Sequence, residues 1–473
     1  MKRLLMNLRP NLGWVIVLAA LLPDPPLRGA QSDPTDLKPG IYLFLDDVLV
    51  ERSSNVVRRI NRPVRDLPGP VVTGKEDKCV QPYLTVLRDS QTRKFRMWYN
   101  VSESRHRKTN IGYLESDDGI RWIRPYFVFD NLTRMDICAS VLDEGEHFSA
   151  QAWRYKYYGY RKGMWLAHSP DGLDWKAGPD HAVLSNINDI LHVAPDPARH
   201  RYIALAGFPS SKEDCYVGHT QNSGEGYRRC VGESSSADGI HWAPAHRIFA
   251  PDKQDEGITE FYSIGGVMSR GELLIGLLKV LRDDLPCDKG GKVDGIGYTV
   301  LAWSRDGDHW QRDREPFFNR NGAPGSWDHA MAWMDCQLAV GEEVYIYYGG
   351  YARGHKVERN SERQIGLVRL KRDRYVAREA GTAPGFLQTR LVTMGGNTLA
   401  LNVDAGKGSV RAQAEDERGK PIQGFTFADC QPIRDDSLNA AIRWKMPLAK
   451  LQGKKVRLDF ALVEARLFAL EVK

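Results

Sequence analysis

Acidic residues recur along this chain at intervals that resemble those of a repeated unit. They are Glu76 or Asp77, Asp136, Asp189, Glu260 and Asp328, and they follow one another after 59 (from Asp77), 53, 71 and 68 residues. Where a fold brings several carboxylates together, their repulsion raises the pKa of one of them, so that it holds a proton near neutral pH. Such a group can act as a general acid beside an ionised neighbour that acts as a base or nucleophile.

An internal repeat indicates which elements position these acids. The motif S-x-D-G-x-x-W occurs four times, and its tryptophans are 53, 67 and 68 residues apart. The four copies are Ser116–Trp122, Ser169–Trp175, Ser236–Trp242 and Ser304–Trp310. Because Asp-Gly favours the positive φ of a tight turn, each copy predicts a hairpin whose Trp begins the next strand and packs between neighbouring sheets. A period of this length is typical of a repeated supersecondary unit.

Strand-like segments around each motif complete a unit of about four strands. First strands are predicted at Pro82–Leu87, Cys138–Leu142, Ile190–Ala194 and Phe261–Met268, and second strands at Lys94–Tyr99, Arg154–Tyr160, Arg201–Phe208 and Glu272–Val280. A fifth unit runs from Ala330 to Val376, with Arg372–Arg374 in place of the turn. Units of this kind are the blades of a β-propeller. The sequence therefore predicts five blades over about residues 75–378, with a ring-closing strand from Tyr42–Arg59.

The two ends of the chain differ from the repeat. Lys2 and Arg3 precede the apolar stretch Leu12–Leu22, which is typical of a signal peptide cleaved within about residues 20–32. After about residue 381 the repeat stops, and the remaining strand-like segments predict a small β-sandwich. The predicted fold class is all-β, with a signal peptide over 1–30, a five-bladed β-propeller over 31–380 and a β-sandwich over 381–473.

The composition is that of a globular protein, with 42% hydrophobic and 27% charged residues. The net charge is +6, and the N-terminal Lys2, Arg3, Arg9 and Arg28 against Asp24 contribute +3 of it. Because no long basic run remains, a nucleic-acid partner is not expected. The expected mature protein is a secreted or periplasmic monomer that is not bound to a membrane.

Seven cysteines are present, and none has C-x-x-C spacing, so a structural zinc site is not expected. Cys215 and Cys230 enclose a loop of 14 residues. If the protein is exported, these two cysteines are predicted to pair.

Several segments resemble the superfamily of five-bladed glycoside hydrolases that includes arabinanases, levansucrases and invertases. In the predicted propeller they are Phe44–Asp47, Phe95–Tyr99, the four motif turns, Gly325–Asp328 and Tyr347–Gly350. In the predicted sandwich they are Leu399–Val403, Gly424–Phe425, Ala428–Cys430 and Ala465–Ala469. Five blades followed by a β-sandwich is the layout of glycoside hydrolase family 32, and five blades alone that of family 43.

The resemblance implies a hydrolase of glycans or oligosaccharides, furanosidic substrates included, that uses carboxylates at the mouth of the central channel. Glu260 is the expected proton donor, because it has the longer side chain and lies beside Phe261 and Tyr262; Asp136 and Asp189 are expected as base or nucleophile and as tuners of the donor's pKa. The expected substrate contacts are Asp77 or Glu76, Asp328, Arg134, Tyr83, Tyr262, Trp327, His329 and His355. No metal ligands and no required cofactor are expected, and a structural calcium ion stays open.

Alternatives remain open. The signatures W-x-N-D-P-N-G, R-D-P and E-C of the resembled enzymes are absent from the sequence, which would fit a glycan-binding propeller without catalysis. Phosphorolysis, as in five-bladed mannoside phosphorylases, would need a basic cluster facing the acid. A sialidase fits poorly, because its repeated turn is one residue longer and its propeller has six blades.

Overall fold

The computed structural model describes residues 35–73, 83–102, 109–124, 128–129, 135, 137–209, 228–355, 357 and 363–473. This part of the chain is all-β, with 31 strands and three 3-10 helices at Gln151–Trp153, Pro197–Arg199 and Leu448–Leu451. None of the helices described is long and apolar enough to cross a bilayer. The predicted signal peptide lies outside the described residues.

The first strands of the chain are β1 (Thr35–Leu37), β2 (Gly40–Leu43), β3 (Val50–Ser54) and β4 (Val57–Ile60). Three four-stranded antiparallel sheets follow. The first contains β5 (Leu84–Arg88), β6 (Phe95–Ser102), β7 (Thr109–Ser116) and β8 (Val128–Phe129). The second contains β9 (Ile137–Asp143), β10 (Tyr155–Tyr160), β11 (Met164–Ser169) and β12 (Lys176–Ala177), and the third β13 (Leu191–Asp196), β14 (Arg201–Phe208), β15 (Cys230–Ser236) and β16 (His246–Phe249).

Two further antiparallel units share a seven-stranded sheet. The fourth unit contains β17 (Thr259–Arg270), β18 (Leu273–Arg282), β19 (Ile296–Ser304) and β20 (Trp310–Arg312), and the fifth β21 (Met331–Val340), β22 (Glu343–Tyr351) and β23 (Arg363–Lys371). One parallel contact, Gly297 with Met331, joins them. The outer edge of β23 is bridged by Val64 and Val72.

The first strands of the five units contact one another in a cycle. β5 contacts β9, β9 contacts β13, β13 contacts β17, β17 contacts β21, and β21 returns to β5. Four of these junctions use the same bond, in which a backbone N–H of one first strand donates to a side chain of the preceding first strand. The bonds are Val141 N to Thr85 Oγ1 (3.1 Å), Val193 N to Ser140 Oγ (2.8 Å), Val267 N to His192 Nε2 (3.4 Å) and Leu84 N to Asp335 Oδ2 (2.6 Å).

The fifth junction is closed by Gln337, whose Nε2 donates to Gly266 O at 2.6 Å. Backbone groups on the edge of a buried strand need partners. One polar side chain each from β5, β9 and β13, and two from β21, meet part of this need, and they also set the position of each unit against the next.

The four S-x-D-G-x-x-W motifs form the same turn. In the first copy, Ser116 Oγ accepts from Gly119 N (2.9 Å) and donates to Asp118 Oδ1 (3.0 Å), while Asp118 Oδ1 accepts from Ile120 N and Arg121 N. The other copies repeat the two serine bonds. The motif glycines have φ between +75° and +79°, a conformation that favours Gly.

Each motif turn also binds the preceding unit. The turn glycine carbonyls of the first three copies accept from Tyr347 Oη (2.7 Å), Trp98 Nε1 (2.9 Å) and Tyr158 Oη (2.9 Å), respectively. In the fourth copy Asp308 pairs with Arg201 (3.0 Å). In the fifth unit Asp373, from the segment predicted to replace the turn, binds Arg270 through two bonds of 2.6 Å.

The predicted packing of the motif tryptophans between neighbouring sheets is confirmed for two copies by ring contacts, but the tryptophans of these two copies, Trp122 and Trp242, do not begin the next strand. Trp122 packs against Tyr347 of the fifth unit, and Trp242 packs against Tyr158 of the second. Trp175 instead contacts Tyr157 of its own sheet.

The C-terminal strands form two more sheets. They are β24 (Val376–Ala380), β25 (Gly385–Thr389), β26 (Val392–Met394), β27 (Leu399–Asp404), β28 (Ser409–Glu415), β29 (Asp436–Ala441), β30 (Lys455–Val463) and β31 (Ala465–Val472). One sheet has the order β1-β26-β30-β25-β3 with β28 paired to β30, and the other β29-β27-β31-β24-β4 with β2 paired to β31. Side chains from both sheets share one apolar core, for example Leu401, Val410, Leu458 and Leu470.

The prediction that Tyr42–Arg59 closes the ring is wrong. β2, β3 and β4 pair with the C-terminal strands β31, β25 and β24. The physical reason is apolar burial, because Leu37, Phe44 and Leu49 are buried in the C-terminal core and Phe44 contacts Phe460 edge-on. Val376, predicted as the last strand of the fifth unit, belongs to β24 and therefore to these sheets as well.

Candidate functional site

Residues at the start of several first strands lie together at one end of the ring. Asp189 stands two residues before β13, Tyr83 directly before β5, and Glu260 and Tyr262 near the start of β17. The electrostatic neighbours of Tyr83 include Asp189, and those of Tyr262 include both Asp189 and Glu260. We call these four residues, with Arg229, the axial cluster.

Arg229 connects the two acids of the axial cluster. Its Nη1 lies 2.5 Å from Asp189 Oδ1, and its guanidinium lies over the ring of Tyr262, 4.5 Å from the centroid. Burial alone would lower the pKa of Arg229, but Tyr262, Asp189 and Glu260 together raise it above its ordinary value. Arg229 is therefore a permanent cation beside both carboxylates.

The two acids differ in their exposure. Glu260 is fully buried, and the Tyr262 hydroxyl donates to its Oε2 at 3.4 Å. Arg228 is a further cationic neighbour of Glu260. The Asp189 side chain is 35% exposed, so solvent or a ligand can reach Asp189 directly, whereas it reaches Glu260 only past the side chains that enclose it.

Aromatic and basic side chains form the walls beside the acids. His355 packs edge-on against Tyr262 and tilted against Trp333, with ring centroids 5.2 and 5.4 Å apart. The guanidinium of Arg363 lies over Tyr351, and its Nη2 donates to His355 O at 2.6 Å. Rings and hydrogen-bonding groups in this combination suit a hydroxylated ligand.

The hydroxyl of Tyr83 is a buried polar group without a hydrogen-bond partner among the described residues. Burial, with Tyr351 and Asp189 nearby, raises the pKa of Tyr83 well above its ordinary value, so the hydroxyl keeps its proton. Such a group can donate to a bound ligand or water.

A buried ion pair lies next to Tyr83 inside the ring. Lys279 forms a buried ion pair with Asp335, and its Nζ lies 4.9 Å from the centroid of the Tyr83 ring. Burial lowers the pKa of His192 to about 4, so His192 is neutral near pH 7 and accepts the N–H of Val267. Among the described residues, no group of three or more His, Cys, Asp or Glu could hold a metal ion.

Two of the predicted substrate contacts, Asp328 and Trp327, make their described contacts with residues outside the axial cluster. Asp328 is fully buried and accepts from Arg65 Nε (2.6 Å) and Tyr348 Oη (3.1 Å), and Trp327 stacks on Tyr348. A Cβ on Gly350 would lie 2.1 Å from the Trp327 ring and 2.8 Å from Asp328 Cβ. Because Gly350 has no side chain, Trp327 and Asp328 can pack onto β22. Trp327 is therefore a packing residue, and Asp328 is an ion-pair partner of Arg65.

His329 also makes local contacts. Its Nε2 lies 2.7 Å from Asp288 Oδ1, and its Nδ1 lies 3.1 Å from Asn321 O.

The predicted residues Glu76, Asp77, Arg134 and Asp136 lie outside the described part of the chain. Cys230 is disulfide-bonded, while its predicted partner Cys215 lies outside the described residues.

The sequence patterns did not indicate several residues of this region, among them the charged residues Arg229, Lys279, Asp335 and Arg363. The predicted acids all stand in front of first strands. Arg229 directly precedes the third strand β15, and Arg363 begins the third strand β23. The start of a third strand is thus a place that indicates both arginines, but no local pattern marks the inward positions of Lys279 and Asp335.

No protein-family model and no curated protein matches this chain. Similar solved structures include a glycosyl hydrolase from Bacteroides ovatus, with 13% identity over 67% of this chain and 95% of that one and a TM-score of 0.45. An N-acetylgalactosamine deacetylase from F. plautii in complex with blood group B trisaccharide has 15% identity over 68% and 97% and a TM-score of 0.43.

A third similar structure is described as one of the GH130 family of mannoside phosphorylases. That family contains glycoside hydrolases that target β-1,2 mannosidic linkages in Candida mannan. It has 14% identity over 71% of this chain and 95% of that one, with a TM-score of 0.41. Likeness at this level does not assign a function, which depends on the site itself.

Proposed function

We propose that this protein is a secreted glycoside hydrolase built on a five-bladed β-propeller with an attached β-sandwich. The five units would be the blades, and the cycle of contacts among β5, β9, β13, β17 and β21 would surround the channel. The substrate would be a glycan or oligosaccharide, furanosidic glycans included, bound at the axial cluster.

One observation carries the proposal. Asp189 and Glu260, which belong to different sheets, both neighbour the same arginine. Arg229 binds Asp189 at 2.5 Å and neighbours Glu260, while Tyr262 contacts both the guanidinium and the glutamate. Glycosidic cleavage needs two carboxyl groups flanking the scissile bond. Aromatic faces and the free hydroxyl of Tyr83 are the groups that a sugar ring needs around such a pair.

In the proposed mechanism Glu260 donates the proton to the leaving oxygen. Asp189, which is open to solvent, acts as the base that activates water or as the nucleophile, and Asp136 is the alternative for that role. Arg229 holds Asp189 in position through their ion pair. Substrate binding would have to bring the glycosidic oxygen to the buried Glu260, past Tyr262.

A screen of the purified protein against aryl glycosides and polysaccharides tests the proposal. We expect turnover of at least one substrate and its loss by roughly 10²-fold or more in Asp189→Asn. Asp328→Asn is the matched control, because Asp328 binds Arg65 outside the axial cluster. A well-folded wild-type protein that binds glycans and cleaves none would favour the non-catalytic alternative.

Phosphorolysis is a second candidate, and the basic groups beside Glu260 favour it. Arg228 and Arg229 both neighbour this acid, and a phosphorylase must hold a phosphate near its proton donor. Turnover that requires inorganic phosphate and yields a sugar phosphate would assign this reaction. Turnover in phosphate-free buffer would assign hydrolysis.

Export is part of the proposal and rests on the segment that follows Lys2 and Arg3. Mass spectrometry of the natively produced protein should find a mature start within about residues 20–32. A cytosolic chain that retains Met1 would contradict export.

A further inference from the structure

We propose that His329 and Asp288 form a pH-sensitive latch, which holds a loop at the rim of the ring while His329 is protonated and releases it when His329 is neutral. The loop comprises residues 283–295 between β18 and β19, and we call it the rim loop. Its residues 288–293 are exposed. It lies at the end of the ring that carries the axial cluster, because the end of β18 pairs with the start of β17.

Both ring nitrogens of His329 face hydrogen-bond acceptors. Nε2 lies 2.7 Å from Asp288 Oδ1, and Nδ1 lies 3.1 Å from the backbone carbonyl oxygen of Asn321. Carboxylate and carbonyl oxygens only accept hydrogen bonds, and an imidazole has an N–H on both nitrogens only when it is protonated. The contacts of His329 therefore describe its charged form, in which the bond to Asp288 is charge-assisted.

Loss of the proton should break the bond to Asp288 rather than the bond to Asn321. A neutral imidazole keeps one N–H, so one of the two acceptors then faces a lone pair. The Asn321 carbonyl is held in place, because the N–H of the same residue donates to Asp328 O at 3.0 Å. The Asp288 side chain is 68% exposed and can turn into water. Histidine changes its charge between about pH 5 and 8, so the latch should open over this range.

Other charged groups lie near the latch without bonding to the imidazole. Arg320 Nη1 binds the backbone carbonyl of His329 at 2.8 Å, and Asp328 is engaged in its own ion pair. In the rim loop, Asp294 and Arg320 are neighbours of the Cys287 thiol. Among the described residues, no second charged side chain bonds to the His329 ring, so the bond to the loop carboxylate is the contact that responds to the proton.

The base of the rim loop is fixed independently of the latch. Asp284 accepts from Arg282 Nε and Nη2 at 2.9 and 3.0 Å, and Gly295 N donates to Leu285 O at 3.1 Å. The tip of the loop, residues 286–294, lies between these bonds. Opening of the latch should therefore free the tip without detaching the loop.

A backbone bond connects the tip with the wall of the axial cluster. The N–H of His355 donates to Asp294 O at 2.9 Å, and the two segments approach so closely that a side chain at Gly354 would overlap Asp294. His355 packs in turn against Tyr262 and Trp333. Opening of the latch should therefore also loosen this side of the axial cluster.

Hydrogen exchange of the full chain, measured by mass spectrometry at about pH 5 and about pH 8, tests the latch. After correction for the intrinsic effect of pH on exchange, the tip of the wild type should exchange at least about tenfold faster at the higher pH, because a charge-assisted hydrogen bond is lost. The peptide that contains His355 should show the same change. These measurements do not depend on turnover, so their result is separate from that of the proposed hydrolase.

Two substitutions of Asp288 should have opposite effects. Asp288→Ala removes the acceptor, so the tip should exchange rapidly at both pH values. Asp288→Asn should keep the tip protected at both, because its amide can accept from a protonated imidazole through oxygen and donate to a neutral one through nitrogen. Asp180→Ala is the matched control, since it removes an exposed aspartate 3.2 Å from His181 in the connection between β12 and β13.

Three results would overturn the latch. They are equal protection of the wild-type tip at the two pH values, an Asp288→Ala tip that exchanges like the Asp180→Ala tip, and an Asp288→Asn tip with the pH dependence of the wild type. A His355 peptide whose exchange does not follow that of the tip would remove the link to the axial cluster. Thermal unfolding of each variant shows that its fold is intact.

Discussion

Among the single residues, Glu233 is a buried carboxyl whose charge the fold does not balance. It is 1% exposed, accepts from Trp310 Nε1 at 2.6 Å, and has no partner for Oε1 among the described residues. Burial raises the pKa of Glu233 to about 8 from an ordinary value of 4.5. The folded protein therefore binds a proton here that the unfolded chain releases above about pH 4.5.

This proton predicts a loss of stability with rising pH. A folded pKa above the unfolded one gives stability that is complete below about pH 4.5 and lost as the pH rises to about 8. Glu233→Gln keeps the shape and the oxygen facing Trp310, so it should remove this dependence. The wild type should lose a few degrees of Tm more than the variant between about pH 5 and 8.5, since a pKa difference of this size is worth several kcal/mol and 1 kcal/mol moves the Tm of a chain this long by roughly 1 °C. Glu342→Gln, at an exposed position, is the control, and parallel curves for wild type and Glu233→Gln would contradict the assignment.

Glu260 allows a sharper test of the proposed chemistry than loss of activity. Glu260→Gln cannot deliver a proton, so cleavage of a natural glycoside should fall by roughly 10²–10⁴. The loss should be smaller for a substrate whose leaving group needs no protonation. Asp189→Asn should impair both substrates alike. An equal loss for both substrates in Glu260→Gln would remove the donor role from this residue.

At the level of elements, the motif turns lock each unit to its neighbour. Gly172 has φ of +76°, its carbonyl accepts from Trp98, and a Cβ there would lie 2.9 Å from the Trp98 ring. Gly145 has a similar φ of +86° with nothing within 4 Å. Both glycines share the same kind of backbone strain, but only Gly172 contacts the adjacent unit. Alanine substitutions at the two positions therefore distinguish the two costs.

Gly172→Ala should destabilise the protein by about 1–3 kcal/mol more than Gly145→Ala, because overpacking adds to the strain that both share. Chemical denaturation of the two variants measures the difference. Equal losses would mean that the turn does not press on Trp98.

Thr85 tests the bonds between first strands. Its Oγ1 donates to Ala139 O at 2.7 Å and accepts from Val141 N at 3.1 Å. Thr85→Val keeps the shape and leaves both buried backbone groups without this partner, so a loss of about 2 kcal/mol or more is expected from chemical denaturation. Thr393→Val is the control, because Thr393 is a half-buried strand residue whose side chain makes no hydrogen bond to any of the described residues. A loss in Thr85→Val no larger than in Thr393→Val would show that the junction does not depend on this hydroxyl.

At the scale of the whole molecule, the two C-terminal sheets need the N-terminus of the described chain. β2, β3 and β4 pair with strands that lie more than 300 residues away. Leu37, Phe44, Leu49 and Val50 complete the shared core, and each such burial contributes roughly 1.5–3 kcal/mol.

Residues 376–473 alone should therefore be unfolded, and linking residues 35–60 to them should restore folding. A short Gly/Ser linker suffices, since Ile60 and Val376 are antiparallel partners. Dispersion of the amide NMR signals distinguishes the two proteins. A folded, monomeric 376–473 fragment would contradict the prediction.

Features that depend on neighbours in the chain could be predicted from the sequence. The four turns form where Ser, Asp and Gly stand at fixed spacing, because their bonds join residues two or three positions apart. The alternation of short strands and turns likewise predicted an all-β protein. Asp189, Glu260, Tyr83, Tyr262 and His355 were found because they stand at predictable places beside strands, and the structure brings them together.

The strand pairing of the N-terminus and the contacts of the site depend on packing between residues that are distant in the sequence. Tyr42–Arg59 has the pattern of a strand, but its partner depends on which core buries Phe44. Asp328 stands in front of a first strand like the other acids, yet Arg65, 263 residues away, and the space above Gly350 make it an internal ion-pair partner. Arg229 joins Asp189 from 40 residues away across two strands. A sequence pattern reports period and turn chemistry, whereas pairing between distant residues depends on burial and charge in three dimensions.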